Sequence, residues 1–379
     1  RVQQKLRATA KDVEASPQLR LAAADALGNY DNAVLTDDAV ALSRGELVDR
    51  LVAAAMMRRQ LHATGLELLQ RLAEDAEPTI AARALTCLLA ADSTEATPQP
   101  LLDRLLKSAD PQVRGLAIRG LARHATPHAL NQVLGMLNDP HPDNRVAAHD
   151  VVLQLVDEPA LDTRLRAHLE SRLAEAKAWN ADLRRRYWGE MEQLAHLAGD
   201  IDLKPVAMDL VALLEYERGE TAVAIVRAIR RLNVPQTHTS IVRLFGQIVH
   251  ESQGWFTGEN VIPDEAAKAF IHDRQVPVAE EAALAIGEWR EQTGDSRLRL
   301  VIPKGHPVGS NVRIAAIWAL GRIHEGKPDS ALTKSLQQRL NDTKGLIPED
   351  DAVRLICAET LGRMKARNAL ETLERYYEM

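Results

Sequence analysis

The chain has 379 residues, of which 46% are hydrophobic, 26% charged and only 3% aromatic, with a formal net charge of −6. That length exceeds what one hydrophobic core organises, so the chain is either several domains or a repeat array, and its apolar content excludes intrinsic disorder. The acidic balance argues against a dedicated nucleic-acid binder, which carries a basic excess. No run of 18 apolar residues is present to span a membrane.

In chain order, the first clear element is SPQLRLAAADALG from Ser16, followed by EPTIAARALTCL from Glu77, DPQVRGLAIRGL from Asp110 and HPDNRVAAHDVV from His141. A poor copy lies near Ala224. A weak one, VAEEAALAIG, starts at Val278, and clear ones return as SNVRIAAIWALG from Ser310 and DAVRLICAETLG from Asp351. Aligned on the Val of the V-R step, the anchors are Leu19, Ile80, Val113, Asn144, Val278, Val312 and Val353. Several neighbouring anchors stand 31 to 41 residues apart, and the step from Leu19 to Ile80 is close to double that.

Each copy predicts a helix. Asp or Ser accepts an N–H bond from the first turn, and Pro follows where its missing N–H costs nothing. Val113, Leu116, Ala117, Ile118 and Leu121 then recur at helical spacing as an apolar face. The Ala at positions 23, 84, 117 and 148 allows close helix approach. Arg20, Arg114, Arg145, Arg313 and Arg354 are placed to meet an Asp near a turn of their own or an adjacent repeat. A second amphipathic helix precedes several copies: LLDRLLKSAD from Leu101, ALNQVLGMLND from Ala129 and SLQQRLND from Ser335. One helix pair cannot bury its own apolar face, so the pairs must stack.

The D-P-x-V-R-x-x-A-x-x-x-L pattern resembles the HEAT-repeat superfamily, in particular the short bacterial PBS-lyase-like repeats. The resemblance implies an all-α fold, a right-handed α-solenoid of stacked antiparallel helix pairs. On this reading residues 1–156 are N-terminal repeats, 157–219 are irregular longer helices, and 220–379 are C-terminal repeats with inserted loops, in one continuous solenoid.

Two irregular stretches hold the candidate partner-binding residues. The segment from Leu161 to Leu197 reads as two longer helices carrying Trp179, Arg184, Arg185, Arg186, Tyr187 and Trp188, residue types enriched at protein interfaces. ESQGWFTGENVIPDE from Glu251 reads as a polar, glycine-rich loop that presents Trp255 and Phe256. Related loops, VIPKGHPVGSN from Val301 and Leu346-Ile347-Pro348, recur near the repeat spacing and are expected on the same edge.

Catalytic signatures are missing: there is no H-E-x-x-H, C-x-x-C, Gly-rich phosphate loop or G-x-S-x-G. His124, His128 and His141, with nearby Asp residues, are the densest possible metal ligands. Their positions on turns and solvent faces point to no metal site, and no cofactor is expected. Cys87 and Cys357 read as small core residues. The expected function is therefore a non-catalytic protein-binding scaffold or adaptor, using the concave face and the C-terminal loops. One alternative is a nucleic-acid binder like the HEAT-type alkylpurine DNA glycosylases, with Arg227, Arg230 and Arg231 in its groove. A second is the docking or regulatory region of a larger bacterial enzyme or electron-transfer protein. The chain starts at Arg1, not Met. A soluble protein of the cytoplasm is favoured, with the periplasm the alternative if a signal peptide preceded Arg1.

Overall fold

The computed structural model describes residues 1–30, 32–91, 93–257, 265–344 and 346–377, with side chains described except at 254–257, 265–272 and 377. Among these residues the regular structure is helical, with no strand. They fall into two compact units, residues 1–167 and 168–379.

The first unit is built from five helix pairs: α1 (Val2–Lys11) with α2 (Pro17–Leu27), α3 (Ala33–Leu42) with α4 (Leu47–Met56), α5 (Ala63–Ala73) with α6 (Pro78–Ala90), α7 (Gln99–Leu105) with α8 (Pro111–Leu121), and α9 (Pro127–Gly135) with α10 (Pro142–Leu155). The second helices form a row in which α2, α4, α6, α8 and α10 each pack on the next. The layer between α2 and α6 that the sequence skipped is thus α4. A longer helix, α11 (Pro159–Ala176), follows. The second unit contains α12 (Ala181–Arg186), α13 (Trp188–Asp200), α14 (Ala207–Leu213), α15 (Gly219–Leu232), α16 (Pro235–Thr257), α17 (Glu265–Trp289), α18 (Asp295–Arg299), α19 (Gly309–Ile323), α20 (Ser330–Leu340), α21 (Asp351–Arg363) and α22 (Leu370–Tyr377). Here α13, α15, α17, α19 and α21 form the row, with α14, α16, α18 and α20 paired against it. Each unit is therefore a stack of helix pairs, the all-α solenoid arrangement that the sequence implies.

Local chemistry explains the helix starts. Pro occupies the first helical position of α2, α6, α8, α9 and α10. The Asp110 carboxylate accepts from the Val113 N–H at 3.0 Å and the Ser16 hydroxyl from Leu19 at 3.3 Å. Two expected caps differ: α19 begins at Gly309, so Ser310 lies inside the helix and its hydroxyl reaches Asp350 at 3.2 Å, and α21 begins at Asp351, with Asp350 as its cap. In the other two copies Glu77 and His141 make no side-chain cap.

Ile80, Val113, Ala117, Ile118, Leu121 and Val353 are buried. Leu19, at the place in its repeat that Val113 holds in another, is 54% exposed. Among the described residues no pair precedes α1 and α2, whereas α6 lies over α8. Stacking is tight where small residues meet. A Cβ on Gly287 of α17 would come 2.7 Å from the Ala319 Cα of α19, and one on Gly199 of α13 would come 3.1 Å from the Ala228 Cα of α15.

The repeat arginines form a ladder. Arg20 pairs with Asp49, Arg50 with Asp75 at 2.8 Å, Arg114 with Asp139 at 2.7 Å, and Arg313 with Glu349 at 2.7 Å. Burial alone would push the Asp139 and Glu349 carboxyls up. The facing guanidinium of Arg114 or Arg313 overcomes it and holds each below the usual carboxylate range. Arg145 and Arg354 grip carbonyls of their own inter-helix turns, Asp139 O at 3.1 Å and Leu340 O at 3.2 Å.

Two segments depart from the sequence reading. The stretch after Leu161 is three helices, because the chain turns at 177–180 and again at Tyr187. Glu251–Thr257, expected as loop, continues α16. Ile241, Val242, Phe245, Ile248, Val249 and Ser252 are buried at helical spacing, so the apolar face runs past Glu251 and carries the helix through Gly254. Similarly, α17 runs through Pro277, held by its packing on α15, α16 and α19.

Candidate partner-binding site

The Trp/Arg segment of the second unit divides into two groups. In the first, the Arg172 guanidinium on α11 donates to Glu190 of α13 at 2.5 and 2.9 Å. It also lies 4.7 Å from the Trp179 ring centroid and 4.9 Å from that of Tyr187, whose rings are 5.3 Å apart. The Glu190 hydrogen bonds raise the Arg172 pKa above its ordinary value. The Arg186 guanidinium lies 5.4 Å from the Tyr187 centroid. This cluster ties α11 to α13: Trp179 and Tyr187 are half-buried, and their faces are taken by cations.

The second group lines a cavity of about 590 Å³. Arg184, Arg185 and Trp188 come from α12 and the start of α13. Tyr216 to Thr221 come from the turn before α15 and its first residues, and Asp273, Arg274 and Pro277 come from α17. Asn180 sets this up by capping α12, accepting from the Leu183 N–H at 2.9 Å. Arg184 is fixed on all sides. It donates to Glu217 at 2.5 Å and to the carbonyls of Ala176 and Trp179 at 2.9 and 3.1 Å, and its guanidinium lies 4.4 Å from the Tyr216 ring centroid. Arg185 is exposed, with an exposed Asp182 as partner at 2.5 Å. Trp188 is 48% exposed and Tyr216 is 55% exposed. A neighbouring cavity of about 350 Å³ shares Glu217 and Arg218 and is floored by Ser240, Leu244 and Gln247 of α16.

Tyr216 and Arg218 escaped the sequence reading, because Tyr216 sits in a polar turn with no periodic signal around it. Trp255 and Phe256 lie in the last turn of α16, and their side chains are outside the described residues; so is the segment 258–264 that follows. The loops at 301–308 and 346–350 are present, with Leu346 and Ile347 strongly exposed. The arginines considered for a nucleic-acid groove are matched by acids: Arg227 and Arg230 meet Glu281 at 2.6 and 3.1 Å, and Arg231 meets Asp200.

His124 and His128 are separately engaged, His124 Nε2 at 2.8 Å from Thr97 O and His128 Nε2 at 2.7 Å from Asp103, whereas His141 Nδ1, 3.9 Å from Asp143, makes no hydrogen bond among the described residues. Among the described residues no group of three or more His, Cys, Asp or Glu side chains is placed to hold a metal ion. Both cysteines are buried and unbridged. Burial raises both thiols, Cys357 to about 12. No described helix is long and apolar enough to cross a membrane.

With this geometry in view, a family model for HEAT repeats matches residues 97–181, the stretch that contains the clearest Asp-Pro repeat. That match covers less than a quarter of the chain and marks this stretch as similar to HEAT repeats. The fold of the chain is that of solved karyopherin structures. Kap121p bound to Nup53p shares 12% identity, covers 99% of this chain and 43% of its own, and superposes with a TM-score of 0.54. Kap121p bound to Pho4p shares 16% identity over 96% of this chain and 41% of its own, with a TM-score of 0.51. The chain thus spans less than half the length of these relatives in fold. No curated protein matches it.

Proposed function

We propose that the chain is a non-catalytic protein-binding scaffold, and that the cavity wall carrying Arg185, Trp188 and Tyr216 is a contact surface. The observation that carries this reading is that two half-exposed aromatic rings, Trp188 and Tyr216, line one ligand-sized cavity together with arginines, the residue types that dominate binding energy at protein interfaces. The fold supports it, since Kap121p was solved with the proteins Nup53p and Pho4p bound. A nucleic-acid reading is weaker, because Arg227, Arg230 and Arg231 already face carboxylates. Trp255 and Phe256 on α16 belong to the same proposal.

The test is affinity capture from the native host, comparing the wild type with Trp188→Ala, Tyr216→Ala and the double variant Trp255→Ala/Phe256→Ala. Loss of a captured protein at an unchanged melting temperature supports the reading. Capture that is indifferent to all of these substitutions removes it.

A further inference from the structure

Another cavity, also of about 350 Å³, shares no residue with the two described above. The end of α18 supplies Arg299, the loop after it Ile302, Pro303 and Lys304, and α20 Leu332 and Arg339. Among the described residues no carboxylate lines it. Arg299 is already matched, by Asp295 at 2.7 Å and Asp329 at 2.9 Å. Lys304, Arg313 and Arg339, by contrast, share two carboxylates. Lys304 takes Asp342 at 2.9 Å and Arg313 takes Glu349 at 2.7 Å. Arg339 is left over, since only its Nη1 approaches these acids, at 3.5 Å from each. Its side chain is 12% exposed, yet Nε and Nη2 meet no acceptor among the described residues. Neither nitrogen is sealed in, so both reach open space. A largely desolvated guanidinium with half its donors idle is costly, which makes it a signal for a missing acceptor. Elsewhere in the chain the same Nε–Nη2 edge holds an acid. Arg50 uses it on Asp75, Arg114 on Asp139 at 2.7 and 2.9 Å, and Arg172 on Glu190 at 2.5 and 2.9 Å.

We propose that this cavity binds a carboxylate, its two oxygens on Nε and Nη2 of Arg339 and its aliphatic part against Ile302, Pro303 and Leu332. Two parallel N–H donors in one plane match the two oxygens of a carboxylate. One surplus cation matches one negative charge, whereas a phosphate carries close to two. The volume lies at the small end of ligand pockets and suits a short branched acid, or one acidic side chain with an apolar neighbour. The recognition chemistry is the same for a free organic acid and for a Glu or Asp of a polypeptide, and competition between the two separates them.

The experiment is calorimetric titration of the full chain at constant ionic strength with isovalerate, with its uncharged counterpart isopentanol, and with the peptide acetyl-Leu-Glu-Leu-amide. Saturable binding of the carboxylates is expected, and none of the alcohol. Arg339→Lys keeps the charge and removes the fork, and should weaken binding by about tenfold or more. Gln338 is exposed and also lines the cavity, so Gln338→Glu brings a like charge to it at little cost to folding. Binding should weaken there too, and this variant decides the matter if Arg339→Lys does not fold. Wild type that saturates with neither carboxylate, equal binding of isopentanol, or unchanged affinity in either folded variant overturns the site. Inorganic phosphate that displaces isovalerate at a lower concentration than isovalerate itself requires overturns the carboxylate assignment. A peptide that binds more tightly than isovalerate and competes with it assigns the carboxylate to a polypeptide, and the reverse order assigns it to a free acid. Failure of this site leaves the Trp188 surface untouched, because the two share no residue.

Discussion

Arg114 and Asp139, 25 residues apart, are joined by two parallel hydrogen bonds, 2.7 Å from Nε and 2.9 Å from Nη2. The same guanidinium holds the carbonyls of Ser108 and Ala109 at 2.9 and 3.0 Å, while the carboxylate also accepts from the His141 N–H at 2.8 Å. The pair therefore fixes the turn of one repeat to that of the next. Arg313 and Glu349 repeat the arrangement, with carbonyl contacts to Val301 and Ile302. Replacing Arg114 with Met leaves the Asp139 carboxylate buried without its cation. The expected loss is about 3–5 kcal/mol in urea unfolding, the range for breaking a buried pair. A loss under about 1 kcal/mol, typical of surface pairs, would remove the ladder from the account of stability.

The same pairs set the acid limit. Asp139 and Glu349 titrate below their ordinary values, so their contribution is complete above the unfolded-state range near pH 4 and disappears as pH falls through the lower folded values. The melting temperature should hold down to about pH 4 and then drop, and the drop should be shallower in Asp139→Asn. An unchanged acid limb in that variant would contradict the assignment.

His306 acts one step higher in pH. Burial, and then the nearby Arg313, push its pKa down, so the folded chain keeps it neutral. Its contribution is present above the unfolded value near 6.5 and fades as pH falls below it. His306→Gln should flatten the stability profile between about pH 6.5 and 5, measured by thermal melting across that interval.

Core position, not residue type, should decide the cost of truncation. Ile80→Ala and Leu121→Ala remove fully buried side chains and should each cost about 2–5 kcal/mol. Leu19→Ala, at the exposed counterpart, should stay within about 0.5 kcal/mol. Equal losses at Leu19 and Ile80 would mean that the first pair is covered in solution.

Two glycines should respond with opposite signs. Gly287→Ala forces a methyl against the Ala319 Cα and the Trp318 ring, and should cost about 1–3 kcal/mol by overpacking. Gly362, in α21, has nothing within 4 Å of where a Cβ would stand. Gly362→Ala should stabilise by up to about 1 kcal/mol, since alanine loses less chain entropy in a helix. Melting of the two variants side by side is sufficient to compare them.

Much of the fold is legible in the chain because helix starts and apolar spacing are local signals. Pro78, Pro111 and Pro142 stand at first helical positions, and Ile80 and Val113 are buried where their spacing puts them. What is hidden depends on neighbours. Nothing in VDRLVAAAM announces α4 as a full layer until Asp49 and Arg50 are seen gripping Arg20 and Asp75. Gly254 and Pro277 read as breaks, yet packing on adjacent helices carries α16 and α17 past both positions. For the candidate site, Arg184, Arg185 and Trp188 announce themselves by composition. The partition that sends Trp179 and Tyr187 to Arg172 while Trp188 faces the cavity arises only when α11, α12 and α13 fold together. Tyr216 and Arg218 carry no sequence signal; they come into view only when the turn before α15 brings them to the cavity wall.

The ladder has a polarity. In each rung the arginine belongs to the earlier pair and the acid to the pair after it: Arg20 to Asp49, Arg50 to Asp75, Arg114 to Asp139, Arg313 to Glu349. Peeling a unit from its C-terminal edge strips a carboxylate away and strands a guanidinium that can still lean on carbonyls of its own turn. Peeling from the opposite edge removes the guanidinium and leaves a carboxylate that still accepts a main-chain N–H of its own turn, from Glu46, Glu77, His141 or Asp350. The two edges of a stack therefore bare opposite charges as they come away, a cation when the downstream pair leaves and an anion when the upstream one does.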